Sequence, residues 1–392
     1  MNEVKEIYFD NSATTRISDE ALAKYCEVSR EIYGNPSSLH ALGLKAEKEL
    51  DTARAAVLSS IGERDAEVIF TASGSEANNL AIFGRAFAKE RYKRGAKILT
   101  SMGEHASVSE PVRRLSELGF KVEEIPTVSG KLDTDALLAA LTPDVILVSL
   151  MMVNNETGAL YDIASAARLI HERCPEALLH VDATQSYMKV KFTKRSLGAD
   201  MITLSSHKIE GPKGVGALVV DPKVIKSRGI SPIILGGGQE GGLRSGTENV
   251  PAIAAFGEAV RLGTLSLEEN IKKTGALRDY IIEKIQSDEL LSSIDITLPE
   301  SHAPHILNIT VKKIKSETLL HYLSSLGIYV SSGSACSSNS HKSSSALIAY
   351  GRSEADADSS IRISISPRNE IWEADALISG LRSALTRLAR MR

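Results

Sequence analysis

The stretch that decides the fold class of this chain is Met201-Ile202-Thr203-Leu204-Ser205-Ser206-His207-Lys208-Ile209-Glu210-Gly211-Pro212. An apolar run leads into a turn that carries Lys208, and Gly and Pro follow the lysine. About twenty residues earlier, a second apolar run, 178–181, ends at Asp182. Short runs that are apolar throughout are typical of strands covered on both faces. Because ligands bind beyond the carboxyl ends of such strands, we expect the Asp182 carboxylate and the Lys208 amine to share one site.

A carboxylate and an amine in this arrangement are what pyridoxal phosphate requires. The lysine forms a Schiff base with the cofactor, and the carboxylate keeps the pyridine nitrogen protonated so that the ring takes up electrons. Each residue alone has a simpler interpretation, because Asp182 could cap the next helix and Lys208 could be a solvated lysine. The two residues together predict a pyridoxal-phosphate site.

The length of the chain, 392 residues, favours two domains. The first two-thirds alternates strand-like and helix-like runs, which predicts an α/β fold with a mostly parallel sheet. Strands are expected at 68–71, 97–101, 145–152, 178–181 and 201–204, with 216–220 as an antiparallel neighbour. We predict a large domain over residues 15–255 and a smaller α+β domain built from 1–14 and 256–392.

Polar residues follow the other predicted strands of this sheet. Ser73-Gly74-Ser75 opens a helix whose N–H groups suit a phosphate, although an ordinary cap by Ser75 gives the same pattern. His105 either stacks on a flat ring or is a hydrogen-bonding loop residue. Asn155 is either a ligand contact or a turn residue. The glycine-dense segment 236–247 is either a flexible surface loop or a backbone that approaches an anion closely, with Arg244 or Thr247 contributing.

The chain has only three cysteines, too few for a disulfide framework, so we expect reduced thiols and a cytoplasmic protein. Cys26 and Cys174 lie in helical patterns and are expected to be packing residues. Cys336 lies among Gly and Ser in residues 331–345, where a thiol should be accessible and therefore potentially reactive. This segment is expected to be a mobile loop of the second domain.

Composition excludes several classes of function. A formal net charge of −3 gives no electrostatic reason to expect binding to nucleic acid or to a membrane. No run is expected to reach the roughly 20 apolar residues of a membrane span. The first six residues lack the basic and apolar regions of a signal peptide.

The chain resembles the cysteine desulfurases of the pyridoxal-phosphate class V aminotransferase family, in the subgroup that serves iron–sulfur assembly. The resemblance runs nearly from end to end. The motifs that carry it are Tyr8-Phe9-Asp10-Asn11-Ser12-Ala13-Thr14-Thr15, Gly34-Asn35-Pro36-Ser37-Ser38, Val153-Asn154-Asn155-Glu156, His180-Val181-Asp182-Ala183-Thr184-Gln185, Ser206-His207-Lys208, Arg244-Ser245-Gly246-Thr247 and Ser332-Gly333-Ser334-Ala335-Cys336-Ser337-Ser338. It implies the fold type I of pyridoxal-phosphate transferases.

The resemblance also implies a role at each matching position. Lys208 would bind the cofactor and move protons, Asp182 would pair with the pyridine nitrogen, and His105 would stack on the ring. Gln185 and Asn155 would contact the ring oxygen or the substrate. The phosphate would be held by Gly74, Ser75, Ser205 and His207, and Thr247 would reach the phosphate of the partner subunit in a homodimer. Asn35 and Arg362 would bind the substrate carboxylate. Cys336 would take the sulfur of L-cysteine as a persulfide while L-alanine leaves. No metal is implied.

Departures from the family pattern leave alternatives open. Met152 stands where relatives often carry His. The residues after Cys336 lack the Leu-Glu-Pro that relatives commonly show. This second departure leaves the sulfur acceptor undecided between an iron–sulfur scaffold, a tRNA-thiolation carrier and another protein. A selenocysteine lyase or an aminotransferase on the same fold is the first alternative function. A scaffold that only docks iron–sulfur assembly partners is the second, and the intact set of Lys208, Asp182, His105 and Cys336 argues against it.

Overall fold

A computed structural model gives the fold and describes residues 5–88, 95–312, 314–332 and 344–388. Cys336 and the loop predicted around it lie outside the described residues. The described strands are β1 Ile7–Tyr8, β2 Glu67–Thr71, β3 Lys97–Ser101, β4 Lys121–Ile125, β5 Thr127–Val128, β6 Lys131–Leu132, β7 Val145–Met151, β8 Leu178–Asp182, β9 Met201–Ser205, β10 Gly216–Val220, β11 Asp295–Thr297, β12 Ile306–Thr310, β13 Ile328–Tyr329, β14 Ser331–Ser332 and β15 Ser360–Ser364.

The described helices connect these strands. They are α1 Asp19–Glu31, α2 Ala41–Ser60, α3 Gly74–Ala86, α4 Ala106–Glu117, α5 Thr134–Ala140, α6 Ile163–Arg173, α7 Lys194–Leu197, α8 Pro222–Lys226, α9 Val250–Ser287, α10 Ser316–Ser325, α11 Ser345–Tyr350, α12 Glu354–Asp358 and α13 Ile371–Leu388.

A seven-stranded sheet forms the centre of the fold, in the order β2-β10-β9-β8-β7-β3-β4. Strand β10 runs antiparallel to both of its neighbours, and the other pairings in the sheet are parallel. The predicted α/β class with a mostly parallel sheet is confirmed, and so is the antiparallel neighbour at 216–220. The carboxyl ends of β2, β3, β7, β8 and β9 therefore lie along one edge.

Strand β9 is apolar throughout because helices cover both faces of the sheet. Met201 packs in a cluster with α3 and α4, whereas the next residue, Ile202, packs in a cluster with α1, α2 and α9. Successive side chains of a strand point to opposite faces, so a sheet covered by helices on both sides needs apolar residues at both positions.

A second sheet, in the order β11-β12-β15-β14, is antiparallel and belongs to a separate core. That core includes Leu307, Ile363 and Leu377, together with Ile7 and Phe9 from the start of the chain. Strand β1 reaches it by pairing in parallel with β13. The domain boundaries at 14/15 and 255/256 stay a prediction.

Helix α9 joins the two cores. Its first half contributes Phe256 and Val260 to the core of the large sheet, and its second half contributes Ile281 and Ile285 to the small one. By length and composition alone this helix is apolar enough to cross a membrane, and it is half buried inside the fold. A core helix that is covered by protein passes the same test.

The packing prediction for the cysteines holds for one of the two that the structure describes. Cys174 is buried at the end of α6, where its thiol donates to the Thr142 carbonyl oxygen. Cys26 is exposed, so that prediction is wrong. The buried stripe of α1 runs through Ala21 and Val28, and Cys26 lies off that stripe.

Candidate active site

The Lys208 turn is held against the start of the chain. Residues Ser206–Lys208 form a single 3-10 turn directly after β9. The Lys208 ammonium donates to the carbonyl oxygens of Ser12 and Ala13, the second at 2.8 Å. A side chain at Gly211 would collide with Ser206, so the glycine allows the tight closure of this turn. The amine of Lys208 is thus fixed at the edge of the sheet where the prediction places the cofactor.

The Asp182 carboxylate is buried at the end of β8 and has two donors. One oxygen accepts the Thr184 N–H at 2.9 Å, and the other accepts the Asn78 amide at 2.8 Å. The Asn78 amide also donates to the Ser107 hydroxyl at 2.8 Å, which is 2.8 Å from Nδ1 of His105. A hydrogen-bonded chain therefore joins Asp182 to His105 through α3 and the start of α4.

His105 makes the hydrogen bonds of one of its two predicted roles, and its stacking on a ring stays a prediction. Its side chain caps α4 by accepting the Ser107 N–H at 3.1 Å. Burial lowers the pKa of His105, and the nearby charges of Lys208 and Arg362 lower it further, while Asp182 opposes them. The ring is therefore neutral near pH 7, as suits a flat group that stacks on another ring.

Asn78, Ser107 and Glu104 belong to this site but were not singled out from the sequence. Glu104 is 6% exposed, and its Oε1 accepts the Met151 N–H at 2.8 Å and the hydroxyl of Ser101. Burial raises the pKa of Glu104 to about 8, so the group is a neutral acid at pH 7. The signal for Glu104 in the sequence was its position directly before His105. Only the three-dimensional structure shows that Glu104 is buried.

The phosphate prediction falls at the start of α3. The helix is capped by Ser73, whose hydroxyl oxygen accepts the Glu76 N–H at 3.2 Å, so a cap by Ser75 is wrong. A Cβ placed on Gly74 would lie 3.2 Å from both Ser205 Cβ and Thr184 Oγ1. The glycine thus keeps an opening between the helix N-terminus and β9, where free N–H groups favour an anion.

His207 and Thr247 lie differently from the other predicted phosphate residues. His207 faces Thr14, with its Nδ1 3.2 Å from the threonine hydroxyl, and burial lowers its pKa to about 4. Thr247 is exposed. The segment that carries Thr247 is docked beside α3, because Arg244 pairs with Glu76 at 2.8 Å.

That docking contradicts the flexible-loop interpretation of residues 236–247. Glu240 is buried and forms two hydrogen bonds to Arg54, at 2.7 and 2.9 Å. It also accepts the Phe70 N–H of β2 at 2.8 Å. The glycine-rich segment is consequently anchored at both of its charged residues.

The predicted substrate side centres on Arg362 of β15. Its guanidinium donates to the Asn155 carbonyl oxygen and to the Asp10 carboxylate, both at 2.9 Å, while its Nε is buried without a partner. The structure therefore brings Arg362 and Asn155 together. Asn35 is exposed, and its side chain accepts the Ser37 N–H at 2.9 Å. Among the described residues, no hydrogen bond joins Asn35 to Arg362.

Glu156 is a half-buried acid near Arg362. Burial raises its pKa to about 7, while a hydrogen bond from Ser344 and the charge of Arg362 lower it. Ser344, whose hydroxyl donates to this carboxylate, is the first described residue after the segment that contains Cys336. The sequence had placed Glu156 in a matching motif without giving it a role.

The residues present fit pyridoxal phosphate. Gln185 donates its amide to the Ser12 carbonyl oxygen at 3.0 Å and leaves its own Oε1 buried without a partner. The Asn78 Oδ1 and the Ser12 hydroxyl are buried and unpartnered as well. Unpaired buried polar atoms are costly, and several of them beside Asp182, Lys208 and the Gly74 opening indicate a polar group that completes the site.

The chain is similar to known proteins over nearly its whole length. Residues 7–377 match the family described as aminotransferase class V. A "NifS/IcsS protein homolog" from Lactobacillus delbrueckii subsp. bulgaricus is 41% identical over 95% of each chain. "Cysteine desulfurase IscS 1" from Archaeoglobus fulgidus is 36% identical over 98% of each chain. A solved "NIFS-LIKE PROTEIN" shares 34% identity and a TM-score of 0.89 over 97% of this chain and 100% of its own.

The chain belongs to the class V aminotransferase family, whose fold and cofactor it shares. The predictions of the family, of the fold and of pyridoxal phosphate as cofactor are confirmed. The roles of the single site residues stay predictions.

Proposed function

We propose that the protein is a cysteine desulfurase that removes sulfur from L-cysteine and releases L-alanine. The observation that carries this proposal is the hydrogen-bonded chain from Asp182 through Asn78 and Ser107 to His105, next to the fixed amine of Lys208. The relatives that match nearly the whole chain support it, since several are named cysteine desulfurase.

Pyridoxal phosphate, when bound, supplies an electron sink for the amino acid that is attached to it. Asp182, fixed by two donors, would hold the proton at the pyridine nitrogen. Neutral His105 would cover the ring. Lys208, as a neutral amine that is no longer bound to the cofactor, would take the proton from the Cα atom of cysteine.

Arg362 binds the substrate carboxylate. Its contacts with Asn155 and Asp10 fix the plane of the guanidinium, and a planar fork binds a carboxylate with two parallel hydrogen bonds. Asn35 completes this contact when substrate is present. The ion pair with Asp10 keeps the guanidinium in place before the substrate arrives.

Cys336 is the nucleophile of the proposed reaction. Its thiolate attacks the sulfur atom of the substrate, an S–S bond forms as the C–S bond breaks, and the electron pair of the broken bond passes to the carbon skeleton, which leaves as alanine after protonation. The sulfur stays on Cys336 as a persulfide. A second protein accepts it, either an iron–sulfur scaffold or a tRNA-thiolation carrier.

The enzyme works as a homodimer in the cytoplasm under this proposal. Thr247 supports the dimer, because it is exposed on a segment anchored beside the phosphate opening and is thus free to reach the phosphate of the partner subunit. Analytical ultracentrifugation of the holoenzyme tests the dimer directly. A monomer with full activity would contradict it.

The test of the function is the release of alanine and sulfide from L-cysteine in the presence of pyridoxal phosphate and a thiol reductant. Wild type is compared with Cys336→Ala and with the matched control Cys26→Ala, which removes an exposed thiol elsewhere. We expect turnover by wild type and the control, and none by Cys336→Ala. Equal alanine from all three would remove Cys336 from the mechanism and favour a lyase, and no alanine from any would refute the desulfurase.

A further inference from the structure

A cavity of about 460 Å³ lies behind the Lys208 turn, between that turn, α9 and the loop after β15. Its walls are mostly apolar and include Ile209, Leu262 and Ile271. Of the residues assigned above to cofactor or substrate, Lys208 is the one that also lines this cavity. The volume is that of a small-molecule site, since ligand pockets begin at roughly 300 Å³.

Two side chains in the wall of this cavity have buried nitrogen atoms that make no hydrogen bond. His305 is 1% exposed, and neither of its ring nitrogens has a partner. The Nζ atom of Lys189 is shielded from solvent and is also without a partner. A buried donor that stays unsatisfied costs about 1–3 kcal/mol, and a charged one costs more. A pair of such groups facing one cavity indicates a missing polar ligand.

The charge of the inner wall favours an anion. Lys189 lines it, and the carboxylate of Glu210 in the same wall is already paired with Arg368 at 2.8 Å. Burial, together with the charges of Lys208 and Arg362, lowers the pKa of Lys189 to about 7, and the charge of Glu210 only partly opposes them. The pKa of His305 is held far below its usual value by burial and by the charges of Lys189 and Arg362, so its neutral ring offers one N–H.

The solvent side of the cavity carries acidic groups. Glu20 and Glu269 line it and are exposed, and Arg368, an exposed cation in the same lining, is already paired with Glu210. These carboxylates repel a ligand that carries negative charge along its whole length. The apolar walls between the two ends suit a hydrocarbon body. One negative charge at the inner end and an uncharged remainder therefore match the cavity.

We propose that this cavity is a second binding site, distinct from the substrate site, for a small monocarboxylate with an apolar body. The carboxylate accepts hydrogen bonds from Lys189 Nζ and from one ring nitrogen of His305, and the body packs on Leu262 and Ile271. Phosphate and dicarboxylates are excluded by the acidic opening. The proposal does not depend on the desulfurase activity.

The test is calorimetric titration of the holoenzyme with 3-phenylpropionate, which has no amino group and cannot react at the cofactor. The uncharged 3-phenylpropanol and inorganic phosphate are the ligand controls. The protein variants are Lys189→Met, the matched control Lys191→Met at an exposed lysine nearby, Leu262→Trp to fill the cavity, and Arg362→Gln to disable the substrate site. Melting curves and cofactor absorbance check that each variant is folded and loaded.

We expect one saturable site in wild type, at least tenfold weaker binding in Lys189→Met, and loss of binding in Leu262→Trp. The control variant Lys191→Met and Arg362→Gln should bind as wild type, and the alcohol and phosphate should bind at least tenfold more weakly. At pH 7, binding should be accompanied by proton uptake, since Lys189 becomes fully charged. Absence of saturable binding overturns the proposal, as does loss of binding in Arg362→Gln with retention in Lys189→Met. If Lys189→Met does not fold, Leu262→Trp decides alone.

Discussion

Replacing Glu104 by Gln should remove a pH dependence from the stability of the protein. The folded protein binds a proton at Glu104 up to a pKa of about 8, whereas the unfolded chain releases it near 4.5. Between these values the folded state binds more protons than the unfolded state, so the free energy of unfolding falls as the pH rises. Gln resembles the protonated acid and can accept the same Met151 N–H, but it does not titrate.

The size of the effect follows from the two pKa values. From pH 6 to pH 8, linkage gives the wild type a loss of about 2 kcal/mol from this one group, because one pKa unit corresponds to about 1.4 kcal/mol and the change levels off near the folded pKa. The loss would reach completion only above pH 8. Glu104→Gln should lack this loss, so its free energy of unfolding relative to the wild type should increase as the pH rises.

Urea unfolding of the holoenzyme, followed by tryptophan fluorescence and by cofactor absorbance at pH 6, 7 and 8, measures this difference. The matched control is Glu124→Gln, at an exposed carboxyl of β4, which should follow the wild type at every pH. Parallel profiles for wild type and Glu104→Gln would refute the reasoning, since they would mean that Glu104 is ionised in the folded protein at pH 6.

Three further predictions concern the predicted site. Asn78→Ala should raise the dissociation constant for pyridoxal phosphate about tenfold in an absorbance titration, because Asp182 loses one of its two hydrogen-bond donors. A hydrogen bond to a charged group contributes about 1.5–3 kcal/mol. The control Asn79→Ala, at the next residue on the exposed side of the helix, should bind the cofactor as wild type does. Gly74→Ala should weaken cofactor binding severalfold in the same titration, because the added Cβ would lie 3.2 Å from two side-chain atoms. Arg362→Lys should raise KM for L-cysteine at least tenfold with a smaller change in kcat, since lysine cannot form the bidentate contact; an unchanged KM would place the carboxylate elsewhere.

Two acids give the site proton-storing groups besides Lys208. Glu104 has its pKa raised to about 8 and Glu156 to about 7, in both cases chiefly by burial. Glu156 lies between the Arg362 side of the site and Ser344. The charge of Glu156 therefore changes near neutral pH. This change takes place next to Ser344, the first described residue after the segment that contains Cys336.

Strand β4 marks a limit of the pattern analysis. Its residues Lys121–Ile125 are polar and largely exposed, so no apolar run announces a strand. It pairs with β3 at the edge of the sheet, where one side of the strand has no neighbour and charged residues are tolerated. The central strands were predictable because burial on both faces leaves only apolar choices.

The sequence by itself determined the buried central strands of the large sheet, the polar residues at their ends, and the lysine and aspartate that define the cofactor. These features are local, since they depend on periodicity and on which residue follows a strand. The tertiary structure alone decided which distant groups meet. The contact between Arg362 and Asp10 joins residues 352 positions apart, and the pKa of Glu104 depends on burial by several elements. The unpaired Lys189 and His305 emerged in the same way, because only packing shows that a polar atom has been left without a partner.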